Sequence, residues 1–480
     1  MDDFIRPPKK VEKKKDKRFV KETLIIIVIV ISLALGFVAG YFSKKTNVVH
    51  STNKKGVVEE VYSTMKNNWV NASGEKVDIE TDGLKGFVDG LGDIHSSYFT
   101  SDEASQFNES VGGNYQGIGV GYTMVSAGAM ITKVYDHSPA SEQDLKTGDI
   151  LVSANGHPLA GLDTDKVKEY VRGKPDTTVE LGILRGKEQF TKTLTRKAVD
   201  TSVSYEIRNQ DGKSFGYIQM STFGTDTANQ VEEALKQFKE KNLTSLVIDL
   251  RDNGGGYLNA AVNILDLFLP SDKCIYQMKE KNSATKKYYA KTDHYYHFDY
   301  GYILVNENTA SASELTAGTL QNQLGYKLIG TKTYGKGTAQ TQLTLSDGSV
   351  LKYTYAKWML PNGKCIHGKG LTPDIKVDNA SLSNITIKKI KTPLQVDQVS
   401  SSVKSMQKML KILGYQVDRE DGYFSQASMS ALQQFEKDNN LTEDGTYSED
   451  DKLMLIARVM TYIQDQSHDQ QYARLLQEMQ

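Results

Sequence analysis

The chain has 480 residues, too many for one hydrophobic core, so several domains are expected. Its 58 basic and 59 acidic side chains nearly cancel, which leaves no global field to draw in nucleic acid. Two cysteines, Cys274 and Cys365, allow at most one disulfide and exclude a disulfide scaffold.

Charge is uneven only locally. Residues 1–23 form a basic tail, with nine Lys or Arg among the first 21, and residues 24–42, "LIIIVIVISLALGFVAGYF", are uncharged and about long enough to cross a bilayer. The run reads as a cleaved secretory signal or a retained anchor; its length and the lack of a clear small-x-small cleavage site favour a signal anchor. The basic flank then puts the N-terminus in the cytoplasm and the rest on the cell-envelope side of the membrane, as a single-pass protein. Residues 43–55 are a polar linker.

Apolar residues at three-and-four spacing predict helices in 56–70 and 81–93, within an N-terminal helical part, 56–110. Over 111–197 the period changes to two, with short strands, Gly turns and one helix, which predicts a compact β-rich module. Residues 198–390 alternate apolar strand-like runs with helical stretches, an α/β region. A small helical unit follows at 391–462, and 463–480 is a polar tail, expected to be a solvated helix or disordered. The fold class is α/β multidomain, without solenoid repeats.

"GTKTYGKGT" (330–338) holds most of a P-loop, yet Gly337 follows Lys336 where Ser or Thr should bind magnesium, and the residues beyond alternate like a hairpin rather than opening a helix. If Lys336 does chemistry it needs a partner, and "NENTASASE" (306–314) follows a buried-looking strand and opens a helix. Ser311 there reads either as a nucleophile at a helix N-terminus or as one half of a capping box with Glu314. "SLVIDLRDNGGG" (245–256) adds glycines that suit an oxyanion hole, a phosphate or a tight turn.

Together these motifs resemble the carboxy-terminal processing peptidases (tail-specific proteases), serine enzymes with a serine–lysine dyad and a PDZ domain. Leu250, Arg251, Asn253, Gly255 and Gly256 meet one family motif, Thr309 to Glu314 a second, and Gly335, Lys336, Gly337 and Gln340 a third. The resemblance, over about 56–390, implies Ser311 as nucleophile, Lys336 as general base and Gln340 as the residue positioning the lysine. It also implies an oxyanion hole from the amides of Ala312 and one of Gly254 to Gly256, with Gly255 favoured. Ile94 stands where the family usually has Pro. A lysine is a base only when neutral, which requires its pKa to fall about three units from about 10.4, so a largely dry pocket is expected around Lys336.

The module at 111–197 resembles a PDZ domain, which implies that Gly117, Ile118, Gly119 and Val120 hold a substrate's terminal carboxylate by strand addition. Asp144 replaces a common Gly, so that turn is expected to be distorted. Residues 391–462 resemble a peptidoglycan-binding domain, with Ser425 for a frequent Gly and Glu436 for a frequent Gln; an ordinary helical interaction domain is the other reading. His294 and His297 lack a third ligand, and Cys365 with His367 lacks a strand-end setting, so neither a metal site nor a thiol protease is expected. The implied function is a membrane-anchored serine endopeptidase acting on proteins with exposed apolar C-terminal tails. It would need no cofactor or metal, bind no nucleic acid, have peptidoglycan as a further partner and self-associate as a homo-oligomer. The alternative is a non-catalytic PDZ and peptidoglycan-binding scaffold.

Overall fold

The computed structural model describes residues 56–480 apart from 71, 73–77, 136–137, 201, 293 and 383–384. The basic tail, the apolar run and the linker lie outside the described residues. Among the described residues no helix is long and apolar enough to cross a membrane.

The chain divides at Gly83 into two units. In the first, helix α1 (Val57–Asn68) buries no residue, and Val57, Val61 and Met65, one turn apart, are all exposed. Helix α2 (Ile79–Asp89) runs through the division.

The second unit begins with strand β1 (Ser97–Phe99) and helix α3 (Ser101–Gly112). Thr100 and Glu103 start α3 with a reciprocal capping box. Strands β2 (Val120–Val125), β3 (Gly128–Val134), β4 (Ile150–Ala154), β5 (Thr178–Arg185) and β6 (Glu188–Thr195) then form an antiparallel sheet in that order. Helix α4 (Thr164–Val171), capped by Asp163, closes it over a core that includes Ile131, Leu151, Val167 and Ile183. Asp144 takes the left-handed conformation (φ 57°), which a short polar side chain tolerates, and Arg185 Nη2 donates to its carbonyl at 2.7 Å.

The α/β region contains β7 (Val203–Gln210), β8 (Lys213–Met220), α5 (Thr227–Glu240), β9 (Ser245–Asp249), α6 (Leu258–Asp266), β10 (Cys274–Glu280) and β11 (Lys286–Tyr289). It continues with β12 (Tyr300–Val305), α7 (Ala312–Leu324), β13 (Lys327–Gly330), β14 (Thr338–Thr344), β15 (Val350–Met359) and β16 (Ile375–Lys376). Its main sheet runs β7-β8-β9-β12-β13-β16, parallel except for the β7/β8 hairpin. Unbroken apolar runs such as Leu246–Ile248 follow from cover on both faces. A second sheet, β1-β15-β10-β11 with β14 on β15, carries the hairpin that follows Lys336. Cys274 and Cys365 are not bonded to each other.

Helices α8 (Ser401–Ile412), α9 (Gln426–Asp438) and α10 (Glu449–Gln464) pack around Met406, Leu410, Phe435 and Ile456. Two boundaries differ from expectation. This core takes in Ile385 and Ile390, from the segment assigned by sequence to the α/β region, and Val125, Met130 and Ile150 of the β-rich module. The polar tail is not a solvated segment. Helix α11 (Gln470–Glu478) buries Tyr472 and Leu475 against Tyr217, Tyr302 and Ile329, covering the second face of the main sheet. Tyr472, Leu475, Leu476 and Met479 are spaced to make one apolar stripe, which the low mean hydropathy of the segment hides.

Candidate active site

The three motif loops leave the carboxyl ends of three adjacent parallel strands, β9, β12 and β13. That edge of an open α/β sheet is where ligands bind. The loops are laced together there: Ala310 N donates to Asn253 O at 3.0 Å, Ser313 Oγ donates to the same carbonyl at 2.9 Å, and Tyr334 N donates to Thr309 O at 3.1 Å. Asn253, wholly buried, anchors the glycine loop to β8 through Nδ2 to Met220 O at 2.8 Å.

Ser311 stands between strand and helix at φ 59° and ψ −117°, a conformation that costs a non-glycine residue strain and is retained only where neighbours enforce it. Glu314 is the enforcer. Wholly buried, its Oε2 accepts from Ser311 N (2.9 Å) and Lys336 N (2.8 Å), and its Oε1 from Thr333 Oγ1 (2.5 Å) and Gly335 N (2.7 Å). Ser311 and Glu314 thereby also complete the capping box at the start of α7. One carboxylate thus fastens the serine turn to the lysine loop, a role larger than the capping box legible in the sequence.

Ser311, Ala312, Lys336 and Gln340 line one cavity of about 1370 Å³ together with Gly254, Gly255 and Gly256. Lys336 is half-buried, and burial holds its ammonium below the ordinary range; the Lys352 charge adds to this, while Asp93 and Glu314 oppose it. Among the described residues no hydrogen bond joins Ser311 Oγ to Lys336 Nζ. Gln340 Nε2 donates to Thr338 Oγ1 and Thr354 Oγ1, both at 3.1 Å, instead of to the lysine loop. Gly255 lies so close to the serine turn that a Cβ there would meet Ser311 Cβ at 2.8 Å, but its amide donates to Asn253 Oδ1 at 2.9 Å. That bond takes the Gly255 amide out of the oxyanion position expected for it in this conformation. The Ala312 amide, first in α7, has no carbonyl partner within the helix.

In the β-rich module, Gly119 (φ 80°) packs on Ser138, and the carbonyls of Ile118 and Gly119 accept from Ala140 N (2.8 Å) and Tyr135 N (3.1 Å). Gly117 pairs with Lys197 at the module's neck, and Val120 pairs with Val134. Val120, Tyr122 and Thr164 line the same cavity as Ser311. Tyr122 OH donates to Thr164 O at 3.0 Å, closing the space between β2 and α4, and burial pushes its phenol up to about 12. His367 is exposed in the loop packed on Gly337, and His297 is exposed beside Asp299. Sequence reading missed Glu314 as a hub and Lys352 as a cavity residue; Lys352 sits in an alternating strand run that carries no local signal of its own.

Comparison with known proteins agrees with the order of these parts. The sequence matches "PDZ domain" over residues 116–195, "Peptidase family S41" over 214–377 and "Putative peptidoglycan binding domain" over 399–450. It is 33% identical over 394 residues to the carboxy-terminal processing protease CtpB of Bacillus subtilis, covering 81% of each chain. It is 31% identical over 442 residues to a probable CtpA-like serine protease of Staphylococcus aureus, covering 90% of this chain and 88% of the relative. Identity at this level across 81% and 90% of the chain, with the peptidase and PDZ matches, places it in the carboxy-terminal processing proteases, serine-type peptidases of family S41 with a PDZ domain.

Proposed function

We propose that this peptidase uses Ser311 and Lys336 as a dyad to cleave envelope-side proteins presented by their apolar C-terminal tails. The observation that carries the reading is the shared cavity. Ser311 and Lys336 line it from the sheet edge, while Val120, Gly121 and Tyr122 line it from the PDZ strand, so a tail added to that strand leads into the space over the serine.

In this reading Ser311 Oγ attacks the scissile carbonyl and its proton passes to neutral Lys336 Nζ, which returns it to the departing amine. Water then hydrolyses the acyl-enzyme. The Ala312 amide and one amide of the Gly254–Gly256 loop stabilise the oxyanion; Gly255 can serve only after leaving Asn253 Oδ1. Ser311 and Lys336 line one cavity without a hydrogen bond between them, an arrangement this reading takes as the state before substrate, in which catalytic hydrogen bonds are often long. Tail binding that displaces Tyr122 from Thr164 would then move β2 at one wall of the cavity and complete the site. Gln340 positions Lys336 in that closed state, through its amide oxygen.

The apolar run at 24–42 serves as the anchor in this reading, and the C-terminal domain binds wall glycan. Self-association would cover the exposed Val57, Val61 and Met65 face of α1, and light scattering on residues 44–480 and on a Val61→Glu, Met65→Glu variant checks it. For the dyad, the soluble region is assayed on unfolded casein and on an apolar-tailed peptide, free or amidated. Ser311→Ala and Lys336→Ala should each lose at least about 1000-fold in kcat with folding intact, and amidation should lower cleavage. Activity surviving in folded Ser311→Ala would return the turn to a helix cap.

A further inference from the structure

Lys352 is a second lysine in the catalytic cavity, on β15. The register sets its side chain on the same face as Thr354, two residues on, whose hydroxyl meets Gln340 Nε2 at 3.1 Å. Gln340 in turn lies four residues after Lys336 on the same hairpin. The ammonium of Lys352 is held by two rings. Its Nζ lies 4.5 Å from the Phe107 centroid and 5.3 Å from that of Phe99, and the rings stack at 5.1 Å. Among the described residues it takes part in no ion pair. Burial holds the Lys352 ammonium below its ordinary range, while Asp93 and the two aromatic faces favour the charged form, which a ring stabilises without neutralising.

We propose that Lys352 is a positioning residue for the general base: its charge, fixed over Phe99 and Phe107 in the cavity that Lys336 also lines, disfavours protonation of Lys336. This rests on the Ser311–Lys336 reading above. The other groups acting around Lys336 pull in both directions. Asp93 and Glu314, from the segment before β1 and from α7, favour its charged form. His95, also before β1, faces Lys336 and, like it, is kept below its ordinary range mainly by burial, while exposed His367 acts on His95 from the loop after β15. Of the charged groups acting on Lys336, Lys352 is the one that opposes its protonation. Two carboxylates near a base that must be neutral are a handicap, and a fixed cation on the opposite strand offsets it.

The test reads the acid limb of the pH profile. The rate of Ser311 phosphonylation by a small fluorophosphonate, with loss of fluoride, and kcat/KM for a tailed peptide are measured against pH for the wild type, Lys352→Met and Lys352→Arg, with thermal midpoints as folding controls. Removing the cation lets Lys336 hold its proton to higher pH. The acid limb of Lys352→Met therefore moves up by about one pH unit, a roughly tenfold loss on the limb, while the high-pH plateau is kept. Lys352→Arg, which retains a cation able to lie on the rings, leaves the limb in place. Lys352→Gln replaces Lys352→Met if the latter does not fold. An unmoved limb in a folded neutral variant overturns the proposal, whether or not the plateau drops. A rise in KM alone, confined to peptides with an added carboxylate, overturns it in favour of a substrate-anchoring lysine. Lys336→Ala run in parallel separates the two failures: if it is still phosphonylated, the dyad reading has failed, and if it is inert while the limb of Lys352→Met stays put, only the role of Lys352 has.

Discussion

Two buried glutamates, Glu314 beside the nucleophile turn and Glu436 in the C-terminal domain, have opposite surroundings. Glu314 accepts four hydrogen bonds, three from the lysine loop and one from Ser311 at the start of its own helix. Glu436 accepts one, from Gly445 N at 2.9 Å; its Oε1 has no partner, and burial, with the charges of Asp451 and Asp444, pushes its carboxyl up to about 7. A buried charge is an asset where donors converge on it and a burden where they do not. The catalytic core uses its carboxylate to hold two loops in register, whereas the C-terminal domain tolerates one.

The sharpest way to break this contrast is to make the same change at both sites. Glu314→Gln turns an amide NH2 toward donors that have no other acceptor, so it should cost about 2–4 kcal/mol in urea unfolding and lower peptide hydrolysis at least about 100-fold. A near-neutral result would mean the loops hold their register without it. An intermediate case is Asp469, which accepts from Arg251 Nη1 (2.6 Å), Asn379 Nδ2 (2.8 Å) and Tyr472 N (2.9 Å). Asp469→Ala should destabilise by about 2–3 kcal/mol, since Arg251 is then left with Asp249 alone; an unchanged urea midpoint would show that α11 docks by its apolar stripe alone.

Glu436→Gln should have the smallest effect, of opposite sign. The folded-state value lies above the ordinary 4.5, so the folded domain holds a proton that the unfolded chain gives up. Stability is therefore full below 4.5, falls as pH rises toward about 7 and stays low above it. The variant should gain on the order of 1–2 kcal/mol at pH 8 and nothing at pH 4, read as a shift in unfolding midpoint at the two pH values. A gain independent of pH would point to packing rather than charge.

Much of the site was legible because its chemistry is carried by local motifs. Ser311 and Glu314 share one helix start, and Lys336 and Gln340 share one strand start, so their types and spacing survive in the linear chain. What the linear chain did not show were the present partners of two of these groups. The Gly255 amide looked free as an oxyanion donor, but Asn253, two residues earlier, turns its side chain back onto it. Gln340 looked free to hold Lys336, but Thr354 across the β14/β15 pair takes its amide. The first bond is a local side-chain choice, whereas the second depends on which strand is the neighbour, and pairing across a sheet leaves no trace in spacing.

The sequence by itself marked the PDZ, peptidase and peptidoglycan-binding regions, the serine turn, the lysine loop and the glycine loop, because each is a short-range pattern of backbone preference and side-chain chemistry. Only the tertiary structure decided that β9, β12 and β13 lie side by side, that Glu314 ties two of their loops together, that Lys352 reaches the same cavity, and that the polar tail folds back as α11. The physical reason is common to all four. Burying the second face of a parallel sheet and satisfying the donors at its edge are requirements on the whole assembly, met by residues far apart in the chain.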